Sequence, residues 1–176
     1  QVWMTENLAY LPSVVGPDTG SETEPYYYVY DYEGTSVNDA KAKPHYFTYG
    51  VLYNWTAALT ACPDGWHLPS DAEWTTLTTY LGGLSVAGEK MKEAGFSHWT
   101  SPNKGATNES GFTALPGGYR GPNGAFLAIG GRGYWWSSTQ YDTSRAWNRI
   151  LTFNSSSVSR AIIDKAYGFS VRCLRD

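Results

Sequence analysis

The sequence predicts an α+β fold of two main helices, small twisted antiparallel sheets and long loops. Three observations carry this. Charged residues are only 16% of the chain and aromatics another 16%, with 8 Trp, 14 Tyr and 19 Gly. Many glycines beside many aromatics point to short strands, tight turns and ordered loops rather than a helical bundle. Helical signals are confined to the first half. From Phe96 onward, loops such as SPNKGATNESG and GGYRGPNG alternate with strand-like runs.

The elements follow in order. The opening QVWMTENL reads as a strand, and the polar, turn-rich segment from Ser13 to Pro25 reads as a loop. In YYYVYDYEG, alternation places Tyr26, Tyr28, Tyr30 and Tyr32 on one face and Tyr27, Val29 and Asp31 on the other, which predicts an edge strand. Four tyrosines on one face would make a contact surface, or an edge that accepts a strand from another chain. YGVLYNWTAALTAC reads as a short helix stopped by Pro63 and Gly65. LPSDAEWTTLTTYLGG is the best helix signal. Ser70 and Glu73 have capping-box spacing, Trp74, Leu77 and Leu81 share a face, and Gly82 and Gly83 supply the exit. SVAGEKMKEAG adds a short third helix. GYWWSST, AWNRILTF, VSRAIID and YGFSVRCLRD are the clearest strands. In the last, Tyr167, Phe169, Val171 and Cys173 face the core, and Ser170 and Arg172 face away.

At 176 residues the chain is most simply one domain, residues 1–176, large enough to bury a core. A net charge of -3 gives no basic field to draw nucleic acid or an anionic membrane. No apolar run approaches the roughly 20 residues that cross a bilayer. The chain starts at Gln1 without a charged n-region or an apolar h-region, and reads as a mature or trimmed segment.

Cys62 and Cys173 are the only cysteines. They have no zinc-ligand spacing and no C-x-x-C motif. Three readings stay open: one disulfide, two buried thiols, or a reactive thiol. A disulfide would close a loop of about 110 residues, stabilise by roughly 4–5 kcal/mol in the chain-entropy model and imply an oxidising compartment.

WMTENLAY, YGVLYNWTAA, CPDGWHLPSDAEW, GFTALPGGYR, GYWWSST and GFSVRCLRD, in this order, resemble the Fibrobacter succinogenes major paralogous domain over nearly the whole chain. That family occurs in secreted and surface-anchored bacterial proteins of Bacteroidetes and Fibrobacteres. The resemblance implies a C-type lectin-like fold, a Cys62–Cys173 disulfide and an extracellular or outer-membrane location. LPSDAEW and GFSVRC also resemble the formylglycine-generating enzymes, which share that fold. Those enzymes bind copper through an active-site cysteine pair. Here both cysteines match structural positions, so that activity is not expected.

Other chemistry is sparse. His45, His67 and His98 lie in separate segments, and no G-x-S-x-G or H-E-x-x-H occurs. His67 reads as a hydrogen-bonded structural histidine. Asp71 and Glu73 read as helix-start residues favoured by the dipole. AWNR keeps Trp147 and Asn148 of a calcium-dependent lectin's W-N-D but carries Arg149 in place of the acidic ligand, and SPN lacks a leading carboxylate. No cofactor is expected, and structural calcium is not indicated.

What remains is recognition of a glycan or a surface protein by aromatic and polar loops after residue 112. The candidates are Tyr119, Arg120, Asn123, Trp135, Trp136, Tyr141, Asp142, Arg145, Asn148 and Arg149. Strand alternation frees at most one of Trp135 and Trp136. Trp147 alternates with Leu151 and Phe153 and reads as core. Alternatives are a structural or assembly domain of a surface adhesin or appendage, and an enzyme of unknown chemistry.

Overall fold

The computed structural model describes residues 1–176. Strand β1 is Tyr27–Tyr28 alone. The extended run predicted through Tyr32 is cut short because the backbone turns at Tyr30 and Asp31, where Asp31 takes φ 62°. The two-faced tyrosine strand is therefore corrected. Tyr27, Tyr28, Val29 and Tyr32 are all buried, and the Tyr28 hydroxyl donates to the Thr19 carbonyl at 2.8 Å.

Two helices that no periodicity announced come next. Helix α1 is Val37–Lys41, capped by Ser36, whose hydroxyl accepts from the Asp39 amide. Helix α2 is Pro44–Tyr49, with proline in its first turn. Strand β2, Leu52–Tyr53, then takes residues assigned above to a helix and pairs with β1. Helix α3, Trp55–Ala61, starts only after Asn54. Asn54 explains the late start. Its Oδ1 accepts from the Ala57 and Tyr26 amides, and its Nδ2 donates to the Ser21 and Glu24 carbonyls. One side chain thus caps α3 and ties down the loop ahead of β1.

Strand β3, Trp66–His67, leads into helix α4, Asp71–Tyr80. The expected capping box is complete: Ser70 Oγ accepts from the Glu73 amide, and the Glu73 carboxylate accepts from the Ser70 amide at 2.7 Å. Trp74, Leu77 and Leu81 are buried, and Gly82 and Gly83 leave the helix at φ 104° and 96°. Helix α5 is Leu84–Met91. It crosses the main sheet so closely that a Cβ on Gly88 would lie 2.6 Å from the Ser157 carbonyl oxygen.

The second half builds a five-stranded sheet. Its strands are β4 Gly117–Arg120, β5 Phe126–Ile129, β6 Arg132–Gln140, β7 Arg145–Thr152 and β8 Val158–Asp164, in the order β5-β4-β6-β7-β8. All neighbours are antiparallel except β4 and β6. Strand β9, Leu174–Arg175, pairs with β3. The closing strand expected from YGFSVRCLRD is corrected. Before β9 the segment threads through the interior by single bridges to Tyr53, Arg120 and Trp135, so Ser170 and Arg172 are as buried as Phe169, Val171 and Cys173. The opening strand is likewise reduced to one bridge, Trp3 to Leu174.

The main sheet carries a core on both faces. Tyr134, Trp136 and Ala146 join Tyr53, Trp55, Phe169, Val171 and Cys173 on one side, while Trp135, Leu151 and Val158 join Trp74, Met91, Trp99 and Phe112 on the other. Alternation does send Trp135 and Trp136 opposite ways. Neither reaches solvent, because each side is interior. Their indole N–H groups are used internally, Trp136 on the Tyr53 carbonyl at 2.8 Å and Trp135 on Asn7 Oδ1 at 2.9 Å.

Cys62 and Cys173 form a disulfide, with Cα atoms 5.9 Å apart and a sequence separation of 111. It joins the C-cap of α3 to the residue before β9 and leaves no free cysteine.

Candidate ligand pocket

Strand alternation builds the pocket. On β7, Ala146, Asn148 and Ile150 point to the same side of the sheet. Across from them on β8 stand Ile163, Ala161 and Ser159, and Tyr134 of β6 lies opposite Ile150. Tyr119 of β4 and the returning residues Tyr167 and Phe169 close the sides. The result is an open pocket of about 220 Å³ lined by Tyr119, Tyr134, Asn148, Ile150, Ala161, Ile163, Tyr167 and Phe169.

Its rings form one cluster. Tyr134 stacks on Phe169 with centroids 4.9 Å apart, Tyr119 meets Tyr134 edge-on at 4.9 Å, and Tyr167 lies 5.8 Å from Tyr119 and 5.7 Å from Phe169. Burial, with Tyr134 and Tyr167 nearby, raises the Tyr119 phenol above its ordinary value, so it stays a neutral hydroxyl at pH 7. The one lining amide is Asn148, 1% exposed. Its Nδ2 donates to the Ala161 carbonyl at 3.2 Å, and its Oδ1 has no hydrogen-bond partner. An unpaired buried carbonyl costs roughly 1–3 kcal/mol.

The ten sequence candidates scatter. Tyr119 and Asn148 line the pocket. Tyr141, Asp142 and Arg145 sit together at the β6–β7 turn. There Arg145 pairs with Asp142 at 2.6 Å and lies over the Tyr141 ring, 5.2 Å from its centroid. Asn123 is exposed in the β4–β5 turn and accepts from the Ala125 amide. The other four are corrected to interior positions. Trp135 and Trp136 belong to the two cores. Arg120 lies over the Tyr28 ring and donates to the Pro17 and Ala166 carbonyls. Arg149 donates to the Asp71 carboxylate at 2.8 Å. Each guanidinium is turned onto partners inside the protein, although Arg149 Nε itself has none.

Neighbouring expectations are refined as well. Asp71 does more than favour a helix start, because Arg160 also grips its carboxylate through two nitrogens. Burial would raise the Asp71 carboxyl, but hydrogen bonds from Arg160 and Arg149 outweigh it and hold the group below the usual range. Trp147, expected in the core, is only half-buried. It is roofed by the Arg160 guanidinium 3.3 Å from its ring centroid. His67 is held at both ring nitrogens, by Asp176 at 2.6 Å and Glu73 at 3.0 Å.

Sequence reasoning missed Tyr134, Ile150, Ala161, Ile163, Tyr167 and Phe169. The signal was available on the two neighbouring strands. Alternation carried from Trp147 to its other face gives Ala146, Asn148 and Ile150, and the same period in VSRAIID gives Ala161 and Ile163. A larger cleft of about 630 Å³ lies between Gln1–Thr5, α4 and Glu109–Phe112, but no lining polar atom there is buried without a partner. No three His, Cys, Asp or Glu side chains converge to hold a metal ion, and no helix is long and apolar enough to cross a membrane.

The family model of the Fibrobacter succinogenes major domain matches residues 1–175. No curated protein and no solved structure matches. One family pattern therefore runs from the opening bridge strand to the closing β9, and the chain belongs to the Fibrobacter succinogenes major domain family.

Proposed function

We propose that this domain is a non-catalytic recognition module of an exported bacterial surface protein, binding a glycan or a protein at the pocket between Tyr119, Asn148 and Tyr167. The observation that carries the reading is Asn148 Oδ1, a buried acceptor left unpaired at an open, aromatic-lined pocket. Natural folds pair most such atoms; three others, Asn103 Oδ1, Arg149 Nε and Arg172 Nε, are unpaired here too, but Asn148 alone of these residues lines this pocket, where a ligand can supply the partner. The lining holds no carboxylate, histidine or cysteine, which favours binding over catalysis. The disulfide favours an oxidising compartment. A C-type lectin-like reading of the fold fits the same tie between α3 and the closing segment, and calcium-independent binding fits Arg149, whose cation is turned inward onto Asp71.

The test is binding to glycan and peptide arrays by the natural domain and by Ala161→Leu, which fills the pocket from a partly exposed strand. Loss of binding at unchanged thermal stability supports the reading; full binding with the pocket filled refutes it. The assembly reading is favoured by one feature, the open outer edge of β8, which ends the sheet. Silence on both arrays with self-association in solution would select it.

A further inference from the structure

The geometry points to a narrower ligand: an extended segment of a partner protein that seats one tyrosine or tryptophan side chain in the pocket. This rests on the recognition reading above and adds the chemistry of the occupant.

Size decides first. About 220 Å³ falls below the roughly 300–1,000 Å³ of small-molecule sites. It equals on the order of seven water volumes at ~30 Å³ each, the scale of one large side chain. Polarity decides next. A sugar ring carries hydroxyls around its rim, and each must be paired when buried. Half of the lining, Ile150, Ala161, Ile163 and Phe169, offers nothing to pair them, which leaves only the Tyr119, Tyr134 and Tyr167 hydroxyls and Asn148. An aliphatic or phenylalanine side chain would suit those walls but would seal Asn148 Oδ1 in with no donor. A phenol or an indole satisfies both conditions, with an apolar body and a single O–H or N–H. Its ring also finds edge and face partners among Tyr119, Tyr134, Tyr167 and Phe169. Tyr119 and Tyr167, which line the pocket beside Asn148, are both partly exposed.

The sheet supplies the reason for a protein segment rather than a free aromatic. Ala161 and Ile163 belong to β8, the terminal strand, whose outer edge pairs with no other strand. An extended segment adding beside β8 gains main-chain hydrogen bonds and lies next to the pocket mouth. Arg160, exposed on the same strand, is held to Asp71 at 2.8 Å.

The experiment is a titration of the isotopically labelled domain, followed by shifts of the Asn148 side-chain amide and the Ile150 and Ile163 methyls. The probes are capped Val-Tyr-Val, Val-Trp-Val and Val-Phe-Val peptides, p-cresol, and methyl glycosides. The tyrosine and tryptophan peptides should bind roughly tenfold or more tighter than the phenylalanine peptide. That preference should vanish in Asn148→Leu, and all three should lose binding in Ala161→Leu. Equal binding of the three peptides to the natural domain overturns the donor match. p-Cresol binding as tightly as the tyrosine peptide overturns the strand-addition part. Glycosides moving these signals while peptides do not overturns the inference and leaves the recognition reading standing. If no probe moves them and the arrays are also silent, both fall.

Discussion

Removing the Cys62–Cys173 disulfide is the perturbation whose size the structure fixes best. The bond closes a loop of 111 positions. In the chain-entropy model that constraint removes about 16 cal/mol/K from the unfolded ensemble, or about 5 kcal/mol at 25 °C. The native side loses little. In Cys62→Ala/Cys173→Ala the closing segment keeps its backbone bonds, from Met4 N to the Cys173 carbonyl, from Leu8 N to the Val171 carbonyl, and both ways between Tyr53 and Phe169. Val171 and Phe169 also stay buried in the larger core. The double variant should therefore fold to the same structure with a single transition. At roughly 2–4 °C per kcal/mol for a domain of this size, its Tm should fall by roughly 10–20 °C. Thermal unfolding followed by circular dichroism measures this, with thiol alkylation and mass spectrometry confirming that the natural chain has no free thiol. A double variant melting within about 3 °C of the natural protein would refute the reasoning, because it would mean that burial and bridges alone constrain the C-terminal segment.

Trp135→Ala and Trp136→Ala should each destabilise by about 3–5 kcal/mol in chemical denaturation, since each deletes a core indole and its hydrogen bond on a different face of the sheet. Any loss of binding in them then reports unfolding. Asp71→Asn should cost about 3–5 kcal/mol by leaving Arg149, 1% exposed, without its carboxylate. The folded Asp71 carboxyl lies below its unfolded value near 3.8, so its contribution is present above that pH and is lost as pH falls through the folded value. The variant should flatten the acid limb of the stability profile. His67 is raised by the hydrogen bond to Asp176 and by Glu73, so its contribution is full below its ordinary value of 6.5 and fades as pH rises through the folded value. Tm should fall between about pH 6 and about pH 8 more in the natural protein than in His67→Gln, by a small amount because the ring is partly exposed. Gly88→Ala improves helix propensity by about 1 kcal/mol, yet its Cβ meets the Ser157 and Ser156 carbonyl oxygens at 2.6 and 2.7 Å. Unfolding should show a net loss of about 1–3 kcal/mol.

Local chemistry made helix α4 legible and tertiary packing hid the pocket. The Ser70–Glu73 box and the Gly82–Gly83 exit act within one or two turns, so they read correctly from sequence alone. Strands β7 and β8 were legible for the same reason, because a period of two needs no partner to be seen. The tyrosine stretch was not, since the turn at Asp31 and the cap at Asn54 cut a strand that alternation alone extends. The cationic candidates failed on a different principle. An arginine in a sequence reads as surface, but Arg120, Arg149 and Arg172 are the largest polar side chains in this interior. Long loops pass through a domain with few helical or strand ladders to absorb their carbonyls, and buried guanidinium groups absorb them instead. Arg120 takes Pro17 and Ala166, and Arg172 takes Met4 and Phe112. Lys92 does the same with the carbonyls of Lys104, Thr152 and Ser155. Fixed donors of this kind hold irregular backbone as firmly as a ladder does. That explains how a loop-rich chain keeps the Tyr119, Tyr167 and Asn148 side chains, carried by three separate segments, in register around one pocket. Four buried side-chain atoms have no partner in this interior, Asn103 Oδ1, Asn148 Oδ1, Arg149 Nε and Arg172 Nε, and of their residues only Asn148 lines this pocket.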